Sequence, residues 1–234
     1  MSDWRPRRFW TEVTVVETDI GHGIVLDGRP VKTPAKAPVA VPTRAMAEAI
    51  AEEWRAVEKI IDPSAMPVTR AANAAIDKVA IQFDEVAEML AGYGGSDLLC
   101  YRAEAPEELC DRQRLNWDPL LEWAAETFGA RLRLAQGVMP VAQPPEALER
   151  LRTATRDQGV FQLTALHDLV TITGSLVLGL AVSRGRIEAD RAFDLSRLDE
   201  DWQIERWGAD TEAMATAEIK RGQLKDAANL YAMV

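Results

Sequence analysis

The feature that most constrains this chain is a change of hydrophobic period at Thr43. Before it, apolar and polar residues alternate from Trp10 to Val16, the two-residue repeat of a half-buried strand. After it, Met46, Ile50, Trp54 and Val57 recur at helical spacing and share one face. No single regular element satisfies both periods. The predicted fold class is therefore α+β, with a small N-terminal β-rich domain over 1–42, its boundary extending as late as about 65, and a larger all-helical domain over 43–234.

The β-rich part reads as a meander. IGHG at 20–23 supplies a glycine-flanked turn, and IVLDGRPVKTP at 24–34 gives a strand, an Asp27-Gly28 turn and a short return strand. Pro34, Pro38 and Pro42 confine the next segment to an edge strand, because proline lacks the N–H that a sheet interior uses. No helix opens directly after the GHG glycines, so they are turn chemistry and not a phosphate cradle.

In the helical part, Thr43 caps the first helix, and Trp54 is expected to be a buried anchor between that helix and the meander. A second helix restarts at Pro67, and a third ends at Gly94-Gly95. Pro106 and two glutamates open a helix that carries the aromatic anchors Trp117 and Trp123; Pro119 is expected to kink or restart it, and Gly129 to end it. RLRLAQ at 131–136 is a candidate strand, and the proline-rich loop that follows is a candidate subdomain seam before a polar helix. Residues 160–185 read as one helix of about seven turns, apolar on all sides and hence central in a bundle. Ser175 and Gly179 on it leave room for a close neighbour, and a polar helix interrupted by Gly222 closes the chain.

DLSRLDEDWQIERWG at 194–208 reads as one amphipathic helix. At about 100° per residue, Leu195, Leu198 and Trp202 form an ordinary core-facing stripe, whereas Glu200, Ile204 and Trp207 fall on the opposite side. A helix apolar on two faces is either buried on both or offers one to a partner. The bland version is a helix sandwiched inside its own domain. The functional version is a partner-binding face of Glu200, Ile204 and Trp207 with Asp199 at its border, with Leu198 and Trp202 as structural anchors.

Other functions find less support. The formal charge of -10, with 37 acidic against 27 basic residues, opposes nucleic acid binding. Cys100 and Cys110 match no zinc-ligand spacing and read as reduced thiols, so no metal, cofactor or small-molecule substrate is expected. The longest uncharged run, 169–183, has fifteen residues, short of the ~20 a membrane span needs. The N-terminal residues show no signal or transit segment, which leads to an expected cytoplasmic location. His167 beside Asp168 is expected to be a satisfied core histidine. Asp199, Glu200 and His167 would have to serve the competing function, a small hydrolase or lyase. Asp199, Glu200 and Asp201, as helix neighbours, point three ways and form no poised pair by themselves.

The segments GIVLDGRPVKTP, AEEW, DLLCYRAEAPEEL, glutamine followed by LNWDPLLEW, and SRLDEDWQIERWG occur in that order over nearly the whole chain. Together they resemble the assembly chaperones of F-type ATP synthase that handle the free α subunit, the ATP-twelve chaperone family. That resemblance implies an N-terminal β-rich domain, a C-terminal helical domain and a non-enzymatic role, with the α subunit as partner; set against the mitochondrial members, the lack of a presequence points to a bacterial protein of the cytoplasm. It also implies functional weight at the acidic position after SRL, here Asp199, followed by Glu200. The role expected from it is to bind the unassembled α subunit and shield its β-facing surface until β replaces it.

Overall fold

The computed structural model describes residues 6–137 and 139–234. In chain order the main elements are strands β1 (Val13–Thr18), β2 (Gly21–Leu26), β3 (Arg29–Pro30) and β4 (Ala40–Val41), then helices α1 (Arg44–Ala56), α2 (Pro67–Ala74) and α3 (Phe83–Gly92). Next come β5 (Tyr101–Arg102), α4 (Glu107–Phe128), β6 (Ala135–Gln136), α5 (Pro145–Arg156), α6 (Val160–Thr173) and α7 (Leu176–Ser183). Helices α8 (Ala189–Ser196), α9 (Leu198–Trp207) and α10 (Thr211–Ala232) complete the chain. Few strands followed by many helices is the α+β class that the change of period predicts.

Two compact units are present. The first holds the described residues up to Phe83, with Val160–Thr164 and Asn229–Val234. β1 and β2 pair antiparallel from Val13 opposite Leu26 to Thr18 opposite Gly21, which puts the connecting turn at Asp19-Ile20. The predicted IGHG turn is therefore displaced, and Gly21, His22 and Gly23 lie within β2. Gly21 has no room for a side chain, since a Cβ would collide with the Val41 carbonyl oxygen, and a Cβ on Gly23 would fit only tightly, 3.1 Å from the Thr18 methyl. The Asp27-Gly28 turn does form, with both residues at positive φ, 46° and 78°. β4 pairs with β2 through His22 and Gly23.

Thr43 is the N-cap of α1, its hydroxyl accepting from the Met46 amide at 3.2 Å. Period and cap thus agree on where strand gives way to helix. The division into compact units falls later, after Phe83, because α1 packs on β1 and β2 and α2 packs on α1. Trp54 is half-buried instead of fully buried. Its ring meets Trp10 edge-on at 5.1 Å, the Trp10 indole donates to the Trp54 carbonyl at 3.3 Å, and Trp10 is the buried member of the pair. Glu53 reaches from α1 to accept from the Val68 and Thr69 amides, capping α2 where Met66 has no side chain able to do so.

The second unit holds Asp84–Gly159 and Ala165–Ala228. α4 runs unbroken through Pro119, contrary to the expected kink or restart. Pro119 withholds one N–H from the Leu115 carbonyl, and Leu115, 73% exposed, lies on the solvent side of α4. Gly129 ends α4 in the left-handed conformation, as read. The stretch read as one long helix is two: Gly174 at φ 69° ends α6, and the Ser175 hydroxyl caps α7 by accepting from Leu178. The close approach expected near Gly179 is present, since a Cβ there would lie 2.6 Å from the Val170 side chain. α10 continues past Gly222 without interruption. Of RLRLAQ only Ala135 and Gln136 form a strand, parallel to β5.

A buried carboxylate ties this unit together. Asp97 accepts from the Ser175 hydroxyl at 2.7 Å, the Val177 amide at 3.0 Å and the Leu99 amide at 3.1 Å, holding the start of α7. Burial pushes its carboxyl above the ordinary range against the pull of those donors. Among the described residues, no helix is long and apolar enough to cross a membrane.

Candidate partner-binding site

The stretch 194–208, read as one helix, is broken at Arg197 into the end of α8 and all of α9. The Ser196 hydroxyl bonds back to the Phe193 carbonyl at 2.8 Å, a local alternative to continuing the helix. Leu195 and Leu198 are buried on either side of the break, and Trp202 follows one turn into α9. The Trp202 ring is held by two guanidinium groups, Arg206 at 4.4 Å and Arg112 at 5.2 Å from its centroid. Arg112 also pairs with Glu205 at 2.9 Å, joining α4 to α9. Behind them Trp117, 1% exposed, donates its indole N–H to the Leu195 carbonyl at 3.0 Å, with Arg102 over its ring. Trp123 is half-buried, edge-on to Phe128 at 5.3 Å.

With that side of α9 fixed, the other side faces out. Trp207 is 78% exposed, Glu200 is exposed and Ile204 is half-buried. These are the three residues that the helical period places opposite Leu198 and Trp202. Asp199 lies at the border and is half-buried. Its carboxylate accepts from the side-chain amide of Gln113 on α4 at 2.8 Å. The role of Gln113 was missed in the sequence: it is the glutamine that precedes LNWDPLLEW, but a lone polar residue in a helical pattern carries no signal of its partner. On the other flank of α9, Asp201 and Glu205 line an open groove with Arg112, Asn116, Arg191 and Asp194.

The residues of the competing enzymatic reading are not assembled by any hydrogen bond. The His167 side chain is 42% exposed instead of satisfied in the core, and its Nδ1 sits 2.9 Å from Asp168. Leu166, Leu169 and Val170 take the buried faces of α6, leaving His167 and Asp168 the remaining one. Burial pushes the Cys100 thiol up to about 12, with the Asp97 charge adding to it, which keeps it from being a nucleophilic thiolate. No group of His, Cys, Asp and Glu among the described residues is arranged to hold a metal ion.

Comparison with known proteins gives one consistent result. Residues 7–125 match the family model described as ATP12 chaperone protein. Over 235 aligned residues the chain is 29% identical to "Protein atp12, mitochondrial" of Schizosaccharomyces pombe, covering 94% of this chain and 79% of the relative. The crystal structure of Atp12 from Paracoccus denitrificans shares 53% identity and superposes with a TM-score of 0.95 over 97% of each chain. An aspartate-to-lysine mutant of that protein superposes with the same TM-score of 0.95.

Proposed function

This chain belongs to the ATP12 chaperone family, the chaperones of ATP synthase assembly, and we propose that it binds the unassembled α subunit through the outward face of α9. Trp207, Ile204 and Glu200 make the contact, with Asp199 at its edge, and the bound chaperone shields the β-facing surface of α until β displaces it. Trp207 carries the reading: a tryptophan 78% exposed on a helix already anchored through Leu198 and Trp202 gains nothing from the fold. The chemistry of the face suits a transient partner. A large obligate interface left bare aggregates, and its guardian has to bind firmly yet yield, which favours mixed apolar and charged contact over a wholly apolar one. The role is non-enzymatic, without cofactor, metal or small-molecule substrate, and the working compartment is the one where the ATP synthase subunits are made.

The test combines purified chain with free α subunit and measures complex formation and light scattering during dilution from denaturant. Stoichiometric suppression of aggregation is expected from the native chain. Glu200→Lys and Asp199→Lys are expected to fold and to lose capture, since reversing a carboxylate at an interface replaces attraction by repulsion worth several kcal/mol once desolvated (about 2 to 5). The fold of the Paracoccus denitrificans mutant supports tolerance of one such reversal in that relative. A native chain that neither binds α nor suppresses its aggregation overturns the proposal; variants that capture normally overturn the assignment to α9.

A further inference from the structure

We propose that Gln113 is a positioning residue, holding the Asp199 carboxylate as a preset acceptor for a basic side chain of the partner. The inference rests on α9 being the partner-facing helix, and adds the chemistry of the group that meets it. Gln113 is 1% exposed, so both ends of its amide need partners inside the protein. Its oxygen accepts from the Ala103 backbone amide at 2.9 Å, which fixes the orientation of the group, because a flipped amide would set N–H against N–H. The nitrogen is then obliged to face Asp199, and donates to Oδ1 at 2.8 Å. One carboxylate oxygen is held from below by a rigid, neutral donor. Among the described residues Oδ2 has no hydrogen-bond donor, which leaves it for another group.

The surrounding carboxylates show why this matters. Glu205 pairs with Arg112 at 2.9 Å, Asp194 with Arg221 at 2.7 Å and Asp201 with Arg197 at 3.7 Å. Among the described residues Asp199 has no such cation, although it is half-buried and Glu200 beside it is freely hydrated. A carboxylate that is partly desolvated, aimed by a buried amide and paired with no side-chain cation is a weak structural tie: the start of α9 favours its charge only modestly, and asparagine could accept the same bond from Gln113 without a charge to desolvate. It is a good receptor for a guanidinium or ammonium group arriving from outside. Pre-aiming it removes the ordering cost that a free side chain would carry into the complex.

The experiment measures capture of free α subunit, its salt dependence and the thermal midpoint for Asp199→Asn, Gln113→Met and the double variant. Asp199→Asn keeps an acceptor for Gln113, so its midpoint is expected within about 2 °C of native. Its capture is expected to weaken about tenfold or more, with a flatter dependence on salt. Gln113→Met leaves the charge but not its aim, and is expected to lose capture by a smaller factor. In the Asp199→Asn background the Gln113→Met change is expected to cost no further capture, because it acts through the carboxylate that is gone. A merely structural glutamine would lower the midpoint and weaken capture by the same factor in both backgrounds, which overturns the proposal. Native capture and native salt dependence in Asp199→Asn overturn it as well, while leaving the assignment of function standing. Failure of the unaltered chain to bind α overturns both.

Discussion

In α7, Leu176, Val177, Leu178, Leu180 and Ala181 are all buried, whereas along residues 203–220 none is, although Ile204, Trp207, Met214 and Ile219 lie there. Both stretches are helical apart from residues 208–210 and both carry large apolar side chains, so the presence of such side chains does not by itself decide whether they are covered. α7 carries no charge, its start is held by the Ser175 cap and the Asp97 carboxylate, and its middle packs closely at Gly179. Residues 203–220 intersperse their apolar groups with Glu205, Arg206, Asp210, Glu212, Glu218 and Lys220, which stay hydrated at the surface. The first arrangement can only be a core. The second folds without its apolar residues being covered, which frees them for another molecule.

Substitutions can sharpen or break this contrast, and the buried side of the second unit should give the largest effects. Trp117→Ala is expected to cost about 3 to 5 kcal/mol, since it removes a fully buried ring and its bond to the Leu195 carbonyl; chemical denaturation measures it. Gly179→Val is expected to cost about 1 to 3 kcal/mol or more, because its side chain must occupy space that Val170 already fills. Asp97→Asn falls in a similar range, about 1 to 3 kcal/mol, as the new amide sets N–H groups against the Val177 N–H; a lowered thermal midpoint is the expected sign. Trp207→Ala sits at the other extreme. Its stability should stay within about 0.5 kcal/mol of native, while α-subunit capture falls. Were Trp207→Ala to destabilise the protein as much as is expected of Trp117→Ala, the contrast between the covered and the exposed tryptophan would collapse, and the proposed interface with it.

How legible these features were depended on their range. The start of α1 at Thr43, the end of α4 at Gly129 and the Asp27-Gly28 turn were readable because each depends on a few consecutive residues. The break between α6 and α7 was also written locally, as Gly174 followed by Ser175, but the long apolar run around it outweighed that signal. Pro119 shows the reverse. A local rule predicted disruption, yet α4 continues through the proline, whose missing bond falls at the exposed Leu115. His167 was misplaced because a largely apolar helix still turns its polar residues, here His167 and Asp168, to an outward face. Gln113 could not be read as a partner of Asp199, since the two are 86 positions apart and no periodicity links them.

The sequence by itself determined the order of strands and helices, most of their caps and turns, and the two-sided character of α9, because these follow from backbone sterics and side-chain period over a few turns of chain. Its motifs also carried the family. Only the tertiary structure decided which apolar face is covered, that Trp10 is more buried than Trp54, and that Asp199 is aimed by a buried amide from α4. Burial and hydrogen-bond pairing are properties of groups brought together from distant positions. The period of one helix fixes which residues share a face, but what lies against that face is supplied by the rest of the chain.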